Sequence, residues 1–335
     1  LLRPYKHIAA YRTGWLLAIT DRLIIAPILR RFARKTTQSL TLDYLGNQQA
    51  IEEDLRHGAF FLTNHRDICM DSAFLSLLMW TRYNIRPYIG VGNNLFGKWW
   101  IEHFVRFNRA FVVIRDGSPR ELLAHSQVLS SYLRYLRERG RSIWLAQREG
   151  RAKDGNDRTQ PAVLKMLTLS GSEEKLSFLD AIKQLNICPV SISYELDPCD
   201  YLKAREMQLK RDDSAWIKSK EDDILSMRTG IEGQKGRVVY RLTPSINHWI
   251  DAHRSELETK TRNEQIQAVA DRIDQQIFAA YEIFERGTEF DKYIERRLAM
   301  IDLPHKDEAF LRDKLYEMYN NPVKNHENCH FSGII

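Results

Sequence analysis

The feature that most constrains this chain is an alternation of short apolar runs with longer runs of helical periodicity, several of the apolar runs ending abruptly in charged residues. Ala59-Phe60-Phe61-Leu62 leads into Thr63 to Ser72, read TNHRDICMDS. Phe111 to Ile114 leads into Arg115-Asp116-Gly117, and Ile143 to Gln147 into Arg148-Glu149-Gly150-Arg151. Runs this short, bounded by polar clusters, read as buried strands. Leu40 to Leu45, Tyr88 to Val91, Ile187 to Tyr194 and Arg237 to Leu242 read the same way. Helices are expected at Ala73 to Trp80, Phe96 to Phe107 and Pro119 to Arg139, the last with proline at its start and Gly140 just past its end. The expected class is α/β: a mixed, largely parallel sheet covered by helices.

Both ends of the chain differ from this middle. Trp15 to Phe32 is apolar but broken by Asp21, Arg22 and Pro27, and is flanked by Arg12 and by Arg30, Arg31, Arg34 and Lys35. A spanning helix needs about 20 consecutive apolar residues, so this segment reads as amphipathic. It either lies in a membrane interface with its cations near lipid phosphates or packs on the protein's own core. Beyond Pro244, Ile266, Val269, Ile273, Ile277, Tyr281 and Phe284 fall on one face of a helix expected to run to Gly287, and Phe290 to Ile301 and Ala309 to Tyr319 repeat the pattern. The expected division is an amphipathic segment at 1–38, an α/β domain at 39–245, and a helical extension at 246–335 packed on it.

With 43% hydrophobic and 28% charged residues of mixed sign, the chain is globular, and its net charge of +6 leans towards acidic partners. Aromatic residues are not interleaved with the basic run at Arg30 to Lys35 as a single-strand groove would require, so nucleic acid is not expected as a partner. The four cysteines, Cys69, Cys188, Cys199 and Cys329, lack metal-ligand spacing and disulfide density, and no cleavable leader pattern stands at the start. Reduced thiols in a cytoplasmic setting are expected.

Within TNHRDICMDS, a neutral His65 accepts a proton from a hydroxyl if a carboxylate holds its other ring nitrogen as donor; Asp67 and Asp71 are both candidates. Arg115, Arg148 and Arg151 emerge from strand ends, and arginine forks suit bidentate binding of phosphate. Gly150 allows close backbone approach. Cys69 as a nucleophile with His65 as its base is a second, hydrolytic arrangement.

In this order and at these separations, the segments from about Ala59 to Tyr194 resemble the four blocks of the glycerolipid acyltransferase superfamily, which includes glycerol-3-phosphate and 1-acylglycerol-3-phosphate acyltransferases. The family's first block sets four residues between histidine and aspartate; here Asp71 lies one place further on and Met70 takes the usual slot. The third block, usually Pro-Glu-Gly-Thr-Arg, is Arg148-Glu149-Gly150-Arg151 in this chain. The resemblance implies direct acyl transfer, with His65 as general base, Asp71 orienting it, Asp67 in reserve, and Cys69 reduced to packing. It also implies a substrate site formed by Asn64, Arg115, Arg148, Glu149, Gly150 and Arg151. Acyl-CoA or acyl carrier protein would be the donor, and lysophosphatidic acid or glycerol 3-phosphate the acceptor. No metal or other cofactor is implied, and the expected location is the cytoplasmic face of the cell membrane, as a peripheral protein held by the amino-terminal helix.

Overall fold

A computed structural model describes residues 5–10, 19–95, 99–172 and 175–329. Its centre is a seven-stranded sheet built from β1 (Ser39–Tyr44), β2 (Phe60–Thr63), β3 (Tyr88–Gly92), β4 (Ala110–Val113), β5 (Ile143–Ala146), β6 (Ile187–Tyr194) and β7 (Arg237–Leu242). The strands lie in the order β1-β7-β6-β2-β5-β3-β4. Strands β2 to β6 are mutually parallel where they pair, whereas β7 runs antiparallel to β6 and parallel to β1. This is the mixed, largely parallel sheet expected. Strand β2 is buried at every residue, with Phe60 and Leu62 in one core and Phe61 in the other. The period of two thus places apolar side chains on both faces, as a central parallel strand requires.

Helices α1 to α14 cover the two faces: Ala26–Thr36, Gln48–Arg56, Met70–Tyr83, Trp99–Phe107, Pro119–Arg137, Pro161–Leu167, Phe178–Leu185, Asp200–Asp212, Lys220–Glu232, Ile246–Ala252, Arg254–Glu258, Arg262–Ala279, Glu289–Ala299 and Glu308–Glu327. Helix α5 shows why they form where they do. Ser118 and Glu121 close a reciprocal capping box, Pro119 sits in the first turn, and the chain leaves through Gly140 at φ 63°. One core packs α5, α7 and α12 beneath the sheet, so Ile266, Val269, Ile273 and Ile277 of the carboxy-terminal part share it with Phe60 and Ile187. Helices α13 and α14 form a smaller cluster with α8 through Ile294, Leu298, Leu311 and Ala204.

At the ends, one expectation falls partly outside the described residues and another is revised. Trp15 to Ala18, Arg12 and Phe96 to Lys98 lie outside the described residues. The amino-terminal helix is described from a wide π turn, Asp21–Ile25, into α1, where Ala26, Ala33 and Thr36 are buried. Ile19, Leu23, Ile24 and Ile28 are exposed, so much of its apolar surface faces away from the core. Helix α12 ends at Ala279 instead of running to Gly287. The Arg241 guanidinium donates to the Ala280 and Tyr281 carbonyls, the Tyr281 hydroxyl to Asp157, and the Glu282 amide to Ser193 Oγ. These tertiary bonds take the place of a last helical turn.

Candidate active site

The sheet places the charged segments at the carboxyl ends of parallel strands, β2 beside β5 and β4 beyond β3 at the edge, where an open α/β sheet presents reactive groups. His65 follows β2, Glu149 follows β5, and Arg115 follows β4. His65 Nδ1 lies 2.9 Å from Asp71 Oδ2; the carboxylate is fully buried and the imidazole 14% exposed. The same oxygen accepts from the amides of Arg66 at 2.7 Å and Asp67 at 3.0 Å. Because Asp71 Oδ2 is an acceptor, Nδ1 carries the proton and Nε2 is left as the basic nitrogen. Asp71 also sits in the first turn of α3, where the helix dipole favours its negative charge.

The loop of five residues between His65 and Asp71 is organised by Asp67. Its Oδ1 accepts from the amides of Cys69 at 2.9 Å and Met70 at 2.7 Å, closing a turn that leads into α3. Asp67 therefore shapes the loop, while Asp71 meets the imidazole. Burial and then the neighbouring Asp71 push the Asp67 carboxyl above its ordinary range. A β-carbon on Gly230 of α9 would stand 1.9 Å from Asp67 Oδ2. Gly230→Ala is accordingly expected to cost about 1–3 kcal/mol of stability through overpacking and to lower activity by displacing the His65 loop, as thermal unfolding and turnover would read.

The remaining site residues divide into two groups. Arg115 and Glu149 stand on the open side, with Nε and Oε1 3.9 Å apart and the Glu149 side chain 68% exposed. The Arg115 amide donates to Asn93 Oδ1, which fixes the strand end that carries it. Arg148 is half-buried and donates to the Asn156 carbonyl at 3.3 Å. Gly150 has φ 68° and open space around its α-carbon. Asn64 and Arg151, in contrast, are interior. Asn64 is fully buried and exchanges two bonds with the Ile192 backbone, so it extends the β2–β6 ladder past its last paired residue. Arg151 is 9% exposed and borders a cavity of about 10 Å³ with Lys203, Glu206 and Trp216, space for one water. Burial works against its charge, but Cys199, Asp67 and Asp197 outweigh that and raise its pKa. Arg115 and Arg151 thus do not converge on one open cleft, because Arg151 is enclosed against α8 and α9.

An apolar cavity of about 350 Å³ is lined by Ser72, the residue after Asp71, and by Leu29 of α1, Leu77 and Trp80 of α3, and Ile89. Ile89 pairs with Trp144 across β3 and β5, and the edge of His65 meets the Trp144 ring at 6.1 Å. Cavity and imidazole therefore share one face of the sheet. Burial pushes the Cys69 thiol up to about 12, which leaves almost no thiolate at neutral pH.

Residues that carry no motif also build this site. Lys203 Nζ donates to the Arg66 carbonyl and pairs with Asp197, and the Tyr240 hydroxyl donates to the Asp71 carbonyl. Asp274 accepts from the Thr159 amide at 2.7 Å, anchoring the loop that returns from β5. Burial pushes its carboxyl from 3.8 up to about 6. The folded state then holds that proton more tightly than the unfolded state. Both are protonated below about pH 4; stability is lost as pH rises towards 6 and the deficit persists above it. Asp274→Asn, which keeps an acceptor for Thr159, is expected to gain roughly 1–3 kcal/mol over wild type at pH 8 and almost nothing at pH 4, measured by urea unfolding.

The chain matches no known family model, and no curated protein matches it in sequence.

Proposed function

We propose that this chain is an O-acyltransferase that moves a fatty acyl group from acyl-CoA or acyl carrier protein to a hydroxyl of 1-acylglycerol 3-phosphate. The observation that carries the reading is a His65–Asp71 pair at a strand end, its carboxylate fully buried, beside an apolar cavity that Ser72 helps to line. In this mechanism Nε2 takes the hydroxyl proton as the oxygen attacks the thioester carbonyl. Asp71 favours the imidazolium as it forms, the tetrahedral intermediate loses its carbon–sulfur bond, and the departing thiolate recovers the proton. Oxygen is acylated, the carrier leaves as free thiol, and no enzyme-bound acyl group forms. The acyl chain lies in the cavity along α3. Arg115, held near Glu149, takes the acceptor's phosphate and so positions its hydroxyl. Arg148 stands at the neighbouring strand end, and Arg151 stays structural.

Access from a bilayer is supported by the outward apolar residues Ile19, Leu23, Ile24 and Ile28, next to Arg22, Arg30, Arg31, Arg34 and Lys35. No described helix is long and apolar enough to cross a membrane. The double change Leu23→Asp, Ile24→Asp is expected to weaken binding to anionic vesicles by at least about tenfold, since each buried side chain contributes about 1.5–3 kcal/mol; flotation at fixed salt reads this.

The acceptor is tested by offering lysophosphatidic acid and glycerol 3-phosphate in competition, with acyl-CoA and acyl carrier protein as donors, and identifying the ester by mass spectrometry. Acylation of the lyso-lipid is the expected result. Preference for glycerol 3-phosphate would move the assignment to the family's other acceptor. Thioester cleavage to free acid, with neither acceptor esterified, would replace transfer by hydrolysis.

A further inference from the structure

We infer that Asp157, which no motif marks, is a positioning residue that holds the His65–Asp71 pair in register; its kinetic consequences rest on the acyl-transfer reading. Asp157 is fully buried, and its Oδ2 accepts two hydrogen bonds and forms an ion pair. The partners are Arg66 Nη2 in the ion pair at 2.9 Å, and Asn64 Nδ2 at 3.2 Å and the Tyr281 hydroxyl at 2.8 Å as hydrogen-bond donors. Two of the three belong to the residues on either side of His65. Asn64 is fixed at its other end to the Ile192 backbone, and the Arg66 carbonyl is held by Lys203. The Arg66 amide is itself one of the donors to Asp71 Oδ2. The buried ion pair of Asp157 with Arg66 and the hydrogen bond of Asp71 with His65 are therefore joined through a single residue.

The electrostatics explain why an anion is needed at 157. Burial is the largest single influence on the Arg66 cation and opposes it; Asp157 first, then Tyr281, Asp197 and Asp71, together outweigh it, so that its pKa is raised. Without Asp157 a buried guanidinium loses its nearest counter-charge and has cause to move towards Asp197 or Asp71. Either movement shifts the Arg66 amide off Asp71 Oδ2, and the imidazole then loses the carboxylate orientation that selects its Nδ1–H tautomer.

The experiment compares full-length wild type with Asp157→Asn, using imidazole nitrogen NMR to read the His65 tautomer and steady-state kinetics to separate kcat from KM. The His65 signal is assigned by its absence in His65→Gln. Wild type is expected to hold the Nδ1–H tautomer. In the folded variant that population falls, and kcat drops about 10- to 100-fold with KM within about threefold. A folded Asp157→Asn with unchanged tautomer and kcat overturns the inference. If that variant does not fold, Tyr281→Phe removes one of the two hydrogen bonds to Asp157 without removing charge. It is expected to show the same drift and a kcat loss of roughly two- to fivefold, and no change in either readout overturns the inference. Should wild type transfer no acyl group, the functional reading fails, while the tautomer comparison still decides the role of Asp157.

Discussion

His65→Ala is expected to lower kcat for acyl transfer by about 10³-fold or more while leaving the fold intact. General-base assistance is worth about 10²–10⁴ in rate, and the proposed mechanism has no second base: Asp67 is spent on the amides of Cys69 and Met70. Stability changes little, because Asp71 Oδ2 keeps its bonds from Arg66 and Asp67 after the imidazole is gone. The loss is expected near 1 kcal/mol. Circular dichroism and turnover on the same preparation separate the two effects. A variant that retained more than a tenth of wild-type kcat would remove His65 from the mechanism.

Asp71→Asn tests the second half of the pair and carries a different signature. The asparagine oxygen replaces one acceptor, but the charge that favours the imidazolium is lost, and an amide NH₂ is placed in a buried position. Losses of about 10²–10⁴ in kcat are expected, with KM little altered, because the change acts on proton transfer and not on the binding of either substrate. Stability is expected to fall by roughly 1–3 kcal/mol, more than for His65→Ala, since Asp71 is fully buried and anchors the loop as well as the ring. Urea unfolding and initial rates measure both. Equal kcat in the variant would mean that Asp71 is only an anchor.

The central strands were legible because burial on both faces leaves them mostly apolar. Ile187 to Tyr194 and Arg237 to Leu242 are recovered to the residue. The helix Asp200–Asp212 was not read. Its interior positions include Lys203, Glu206 and Gln208, whose polar groups are satisfied by ion pairs and bonds to distant segments, so its buried face has no apolar signature. The end of α12 was misjudged for a related reason: Tyr281 keeps the helical period in sequence, while its hydroxyl is held by Asp157. At the site, the position of His65 at a strand end was legible. Which arginine faces solvent was not, because Arg115 and Arg151 have the same local pattern. What buries Arg151 comes from α8 and α9, more than fifty positions away in the chain. Asp67 was weighed as a partner for His65 and proves to organise the loop between His65 and Asp71, which meets the ring itself.

The central claim, that His65 transfers the acceptor's proton during acyl transfer, meets its most direct test in a single-turnover reaction. Labelled acyl-CoA or acyl carrier protein and lysophosphatidic acid are mixed with excess wild-type or His65→Ala protein, and the labelled ester is followed in time. The expected result is one equivalent of phosphatidic acid formed by wild type, with no acyl-protein adduct at any time, and formation slowed about 10³-fold or more in the variant. Equal rates for the two proteins, or an acyl group trapped on the protein before the ester appears, would contradict it.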